Sequence, residues 1–136
     1  EGIALVGKRV FILKQSGPAA LIELIETPEA YIAGIARELS DMADASDLAV
    51  AGNELMIIGA DAAKICAVPV PGEKGPGGPL PCTKTWSTPD KLGKGKSQWE
   101  RLAFLADGCV VVGVDRKKTD RPNVAVLPPL HTGAQS

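Results

Sequence analysis

The sequence predicts an α+β domain, a mostly antiparallel sheet with two helices packed on it, in the order β-β-α-β-β-(long Pro/Gly loop)-α-β-β. Three observations lead there. Short runs rich in Val, Ile and Leu are joined by brief turns, which favours antiparallel pairing. Two other segments carry helix-start residues followed by apolar side chains at three- and four-residue steps. Between them lies a stretch too rich in Gly and Pro to be a central strand or a long helix. With 136 residues and 14.1 kDa, the expected organisation is one domain over 1-136, with 71-96 a long loop or arm and 130-136 a tail.

Gly7–Lys14 opens the chain as a strand, closed by the turn Gln15-Ser16-Gly17-Pro18. Ala19–Glu26 reads as a second strand of a hairpin. Thr27-Pro28-Glu29 then predicts a helix start: Thr27 can cap free amides, Pro28 suits the first helical position and Glu29 complements the positive dipole end. Tyr31, Ile32, Ile35, Leu39 and Met42 would form its buried face, and Glu29, Glu38, Asp41 and Asp44 its outer one. Leu48–Val50 leads through Gly52-Asn53 to Glu54–Gly59, which reads as a strand, as does Ile65–Val70, with Pro69 and Pro71 confining its end to an edge. From Pro71 to Lys96, six of 26 residues are Gly and five are Pro; loops of this length are usually functional or partly disordered. Ser97–Leu105 predicts the second helix, with Ser97 and Glu100 as a capping box. Cys109–Asp115 and Val124–Leu127 close the fold as paired strands around a turn at Lys117–Asn123.

Scarce residues narrow the chemistry. The one histidine, His131, sits near the end of the chain and reads as a solvated tail residue, so no catalytic and no metal-ligating set is assigned. Cys66, Cys82 and Cys109 show no C-x-x-C spacing, which disfavours a zinc knuckle or a redox pair. Cys66 and Cys109 read as small core residues. Cys82 falls in the Pro/Gly loop, and reduced thiols are the default expectation for all three, with a Cys82 disulfide as the alternative. No apolar stretch approaches the ~20 residues of a membrane span, and no signal peptide is visible. The chain opens on Glu1 and not Met, so a cytoplasmic setting is a default only.

Leu92-Gly93-Lys94-Gly95-Lys96-Ser97 invites a phosphate-loop reading, but Asp90 stands where the first glycine belongs. Gly75-Pro76-Gly77-Gly78 is no dinucleotide fingerprint, since it neither follows a clean strand nor opens a helix. Acidic pairs, including Asp107 and Asp115, show no spacing that demands convergence. Charge distribution says more. Residues 1–72 hold five Lys/Arg and ten Asp/Glu, a net of −5; residues 73–136 hold ten and six, a net of +4.

That polarity predicts a non-enzymatic protein that acts by protein–protein contact, as a homo-oligomer or a subunit of a larger assembly, with no cofactor. An acidic N-terminal helix carrying Glu38 and Asp41 would meet a basic loop carrying Lys84, Trp86, Lys91, Lys94 and Lys96, with Arg101 beside it. Trp86 would anchor that loop as an arm on a neighbour. Two alternatives stay open. An enzyme or small-molecule binder would use 71-96 as a lid over Lys94, Lys96, Arg101 and Asp107. A weak single-stranded nucleic-acid binder would stack bases on Trp86 between lysines, though a pI near 5.8 disfavours it.

Overall fold

The computed structural model describes residues 2–59, 64–73, 77–87, 98–115 and 124–130. Among these there is no helix. Eleven strands form three antiparallel sheets. The first sheet runs in the order β1 (Gly2–Val6), β2 (Arg9–Lys14), β3 (Ala20–Glu26), β4 (Tyr31–Glu38). The second runs β5 (Asp47–Ala51), β6 (Glu54–Gly59), β7 (Lys64–Pro69), β8 (Lys84–Ser87). In the third, β10 (Val110–Asp115) lies between β9 (Gln98–Phe104) and β11 (Val124–Leu127).

The α+β expectation is therefore wrong, and both helices fail for identifiable reasons. Thr27-Pro28-Glu29-Ala30 is a hairpin turn. The Thr27 N–H donates to the Ala30 carbonyl at 2.8 Å, and the Thr27 hydroxyl accepts the Ala30 N–H at 3.1 Å. A hydroxyl before a proline serves a turn as well as a helix cap. The following segment is β4, whose alternation is broken by a bulge: Ile22 pairs with Ala36 but Leu24 with Ala33. That extra residue shifts the alternation between Ile32 and Ile35, and Leu39 and Met42, which complete the three- and four-residue spacing, lie beyond the end of β4. Gly34 sits at the bulge because a Cβ there would lie 2.8 Å from the Glu23 carbonyl oxygen. The second expected helix is β9. Arg101 and Ala103 are exposed while Leu102 is buried, a period of two, and Leu102 pairs with Val112.

Layering follows from the middle sheet. β6 and β7 read as continuous apolar runs because both of their faces are covered. Leu55, Ile57, Cys66 and Val68 face the first sheet, meeting Ala4, Phe11, Leu13 and Leu21 in one core. Met56, Ile58, Ile65 and Ala67 face the third sheet, meeting Leu102, Val110 and Val112 in a second. At the junction of the layers β1 runs against β5, where a Cβ on Gly2 would lie 2.6 Å from Asp47 Oδ1. The Asp47 carboxylate ties two layers together. Its Oδ1 accepts the Leu48 N–H and its Oδ2 the Leu102 N–H of β9, each at 2.9 Å.

The stretch expected as a loop over 71-96 contains β8 and, before it, a strap along the first sheet. Leu80 bridges Leu39, the Leu80 N–H donates to the Glu38 carbonyl (2.7 Å) and the Ser40 N–H to the Leu80 carbonyl (3.1 Å). The strap ends in a disulfide between Cys66 of β7 and Cys82, with Cα atoms 5.4 Å apart. The reduced-thiol default is thereby corrected for two of the three cysteines, and the ground for a reducing compartment falls with it. Cys109 is a free thiol. The turn at 117–123, the 92–97 segment and His131 lie outside the described residues.

Candidate interface on the first sheet

The cross-strand register builds the outer face of the first sheet residue by residue. Phe11, Leu13 and Leu21 point into the first core, so their chain neighbours point outward. One outward row is Ile3–Ile12–Ile22–Ala36 and the next is Leu5–Val10–Leu24–Ala33, each crossing all four strands. These eight positions are apolar without exception. Ile3 is 65% and Leu5 66% exposed, although Val10 in the centre is covered by its neighbours. Charge returns only at the ends: Lys14 and Glu38 flank Ala20 at one end, and Glu26 stands opposite Tyr31 at the other. An apolar centre with a charged rim is the anatomy of a contact surface. The third sheet's outer face carries Val111, Val124 and Val126, but Arg101 and Gly113 interrupt it.

The inner face of the same sheet has a different chemistry. Glu23 receives a two-pronged bond from Arg9, with Nε and Nη2 each 2.8 Å from a carboxylate oxygen. These bonds hold the Glu23 carboxyl below its ordinary value and raise Arg9. The Arg9 guanidinium also lies 4.9 Å from the Phe11 ring centre. Arg37, almost wholly buried, approaches Glu23 at 3.9 Å and donates through Nη2 to the Gly72 carbonyl at 3.2 Å. This group is a structural clamp between sheet and strap, in which Glu23 is held by Arg9 while the buried Arg37 Nη1 has no hydrogen-bond partner.

The residues expected to form a charged interface are dispersed. Glu38 and Asp41 lie at and just beyond the end of β4, not on a helix, and line a shallow cleft of about 510 Å³ with Pro18, Ala19, Leu39 and Met42. Asp41 works within the molecule: Oδ2 accepts the Cys82 N–H at 2.8 Å, and its carbonyl accepts Lys64 Nζ at 2.6 Å. Lys84 on β8 reaches Glu54 at 3.3 Å, so this basic residue of the rear half meets its acid inside one chain. Trp86 is 6% exposed and packs in the second core, not on an arm. Its ring is thus not offered to bases. Arg101 lies on the exposed side of β9. Lys91, Lys94 and Lys96 lie outside the described residues.

Sequence reasoning missed the eight-residue grid because it requires pairing partners. Ile3 and Leu5 fall in no expected element, and Ala33 and Ala36 fall within the expected first helix. The alternation of outward Ile3 and Leu5 with inward Ala4 was the available signal. Elsewhere, the Cys109 thiol is raised above its ordinary value by a hydrogen bond to Asp107, which keeps it protonated and a poor nucleophile. Among the described residues no group of three His, Cys, Asp or Glu side chains could hold a metal ion, and no helix is long and apolar enough to cross a membrane. No protein-family model matches the chain, and comparison with curated proteins finds no match.

Proposed function

We propose that this protein acts by protein–protein contact, as a subunit or accessory piece of an assembly, and that the outer face of the first sheet is its contact surface. The observation that carries this reading is the uninterrupted apolar grid of Ile3, Leu5, Val10, Ile12, Ile22, Leu24, Ala33 and Ala36 across four strands. Antiparallel sheets that face water on one side usually alternate apolar-in with polar-out. Here the outward side is apolar across all four strands, while the inward side carries Phe11, Leu13 and Leu21 beside the charged Arg9–Glu23–Arg37 group. Leaving such a face in water forgoes about 25 cal/mol for each Å² that a partner could cover. The expected charge-to-charge association through an acidic helix gives way to contact through this face, since the helix is a strand and Lys84 is held by Glu54.

The test places a photo-crosslinking benzoylphenylalanine at position 3, which is exposed, in the full chain within its own host cells. Irradiation should yield a discrete protein adduct, lost when Leu5→Glu is added. Failure to form any protein adduct overturns the reading.

A further inference from the structure

We infer that the occupant of this face is a second copy of the same chain, packed sheet on sheet about a two-fold axis that runs parallel to the strands between β2 and β3. The inference rests on the reading of this face as a contact surface and adds the partner's identity. It comes from the register. Such an axis lays β1 of one copy over β4 of the other and β2 over β3, while each cross-strand row stays over itself. β1 contributes the large, most exposed side chains Ile3 and Leu5, whereas β4 contributes Ala36 and Ala33 in the same two rows. Ile3 therefore stands over Ala36 of the second copy, and Leu5 over Ala33 of the second copy. Two ridges enter two troughs, and the exchange occurs twice because an isologous contact is reciprocal. In the middle, Ile12 meets Ile22 and Val10 meets Leu24, as in the apolar interior of a β-sandwich.

Charge neither selects nor opposes this axis. Lys14 and Glu38 lie in one register row, two strands apart on either side of Ala20. The two-fold brings Glu38 of the second copy over β1, one strand from Lys14 on β2. One of the three Lys14 N–H groups donates to the Gly17 carbonyl at 2.9 Å, and the ammonium retains others for a carboxylate. At the opposite end Glu26 falls over the second copy's β2, where no acidic residue lies on the outer face. Lys14 and Glu26 each also stand one strand from their own symmetry mate in the second copy, so the fit of Ile3 and Leu5 over Ala36 and Ala33, not charge, selects the axis.

The area sets the strength. Four strands at ~4.8 Å spacing and four outward rows make a face of about 19 by 20 Å, or roughly 400 Å² per copy in projection. At about 800 Å² in total this lies below the ~1,000 Å² expected of a stable interface, so the dimer is weak and reversible.

Sedimentation velocity of the purified full chain from about 1 to 300 μM reads this directly. The expected result is a monomer–dimer equilibrium that Leu5→Glu weakens at least ~100-fold, because it sets a carboxylate in an apolar contact. Leu5 is exposed in the monomer, so the variant keeps its fold, as circular dichroism should verify. Lys14→Glu and Glu38→Lys should each weaken the dimer about fivefold, and the double variant should return to within about twofold of the parent. That rescue reports the register of the two copies, which a general loss of stability would not reproduce. A monomer throughout the range, or a dimer untouched by Leu5→Glu, overturns the inference. The crosslinking at position 3 separates the two levels of the argument. An adduct of twice the chain mass supports the second copy. An adduct of another mass overturns self-pairing while the contact reading stands, and absence of adduct overturns both.

Discussion

Replacing Cys82 with alanine tests how the strap is held. The Cys66–Cys82 bond spans 16 residues and closes a loop that leaves the middle sheet, runs along the edge of β4 and returns to β8. In the chain-entropy account, opening a loop of this length releases about 3 kcal/mol of denatured-state entropy. For a domain of 136 residues this lowers the melting temperature by about 12 °C. Cys82 is the right residue to change. It is half-buried, whereas Cys66 lies wholly inside the first core and, once reduced, still fills its place as a small apolar side chain. The assay is thermal and urea denaturation of Cys82→Ala beside the parent, with Cys109→Ala as a control that should change little. The urea slope should rise, because an uncrosslinked denatured chain exposes more surface. Hydrogen exchange adds a local readout: the Leu80 and Cys82 amides, bonded to the Glu38 carbonyl and the Asp41 carboxylate, should lose protection first. Two results refute the reasoning. One is an intact mass for the parent, purified without reductant, that lacks the 2 Da loss of a disulfide (about 2 Da for two thiol hydrogens). The other is a confirmed disulfide whose removal shifts the melting temperature by less than about 2 °C.

Three further outcomes are expected. Trp86→Ala should destabilise the fold by about 3–5 kcal/mol in urea titration, because the ring fills the second core; a stable variant that had only lost a partner would contradict that placement. Glu23→Gln should cost about 2 kcal/mol at pH 7 by removing the charged bonds from Arg9. Because the folded carboxyl lies below its ordinary value of 4.5, that stability is present above the unfolded value and is lost as pH falls through the folded one; parent and variant should therefore converge in acid, and a gap that stays constant below pH 4.5 would contradict the pairing. Asp47→Ala should cost about 1–3 kcal/mol and loosen β9 from β5, seen as faster exchange of the Leu102 amide, while Asp47→Asn keeps one accepting oxygen and should cost less.

Much of the strand content was legible in the residues. Gly7–Lys14, Ala19–Glu26, Glu54–Gly59, Ile65–Val70, Cys109–Asp115 and Val124–Leu127 were expected as strands and fall on β2, β3, β6, β7, β10 and β11. Their local composition suffices, because β-branched runs bounded by Gly, Pro and Asn have few other ways to satisfy their backbone. Of the expected interface residues, the chain alone shows no partners, and the partners decide their roles: Lys84 meets Glu54, Asp41 meets the Cys82 amide, and Trp86 lies in the core.

What the sequence determined by itself was local: antiparallel hairpins, their turns, and middle strands apolar enough to be covered on both faces. Tertiary structure alone decided the rest. Thr27-Pro28 fits a helix cap and a hairpin turn equally, and only the pairing of β4 with β3 selects the turn. Tyr31–Glu38 and Gln98–Phe104 carry weak propensities, so neighbouring strands with open edges settle their form. Likewise, the eight apolar residues of the outer face lie up to 33 positions apart in the chain (Ile3 to Ala36) and become one surface only when four strands align. Long-range registry of this kind is a property of paired strands, and no window along the chain contains it.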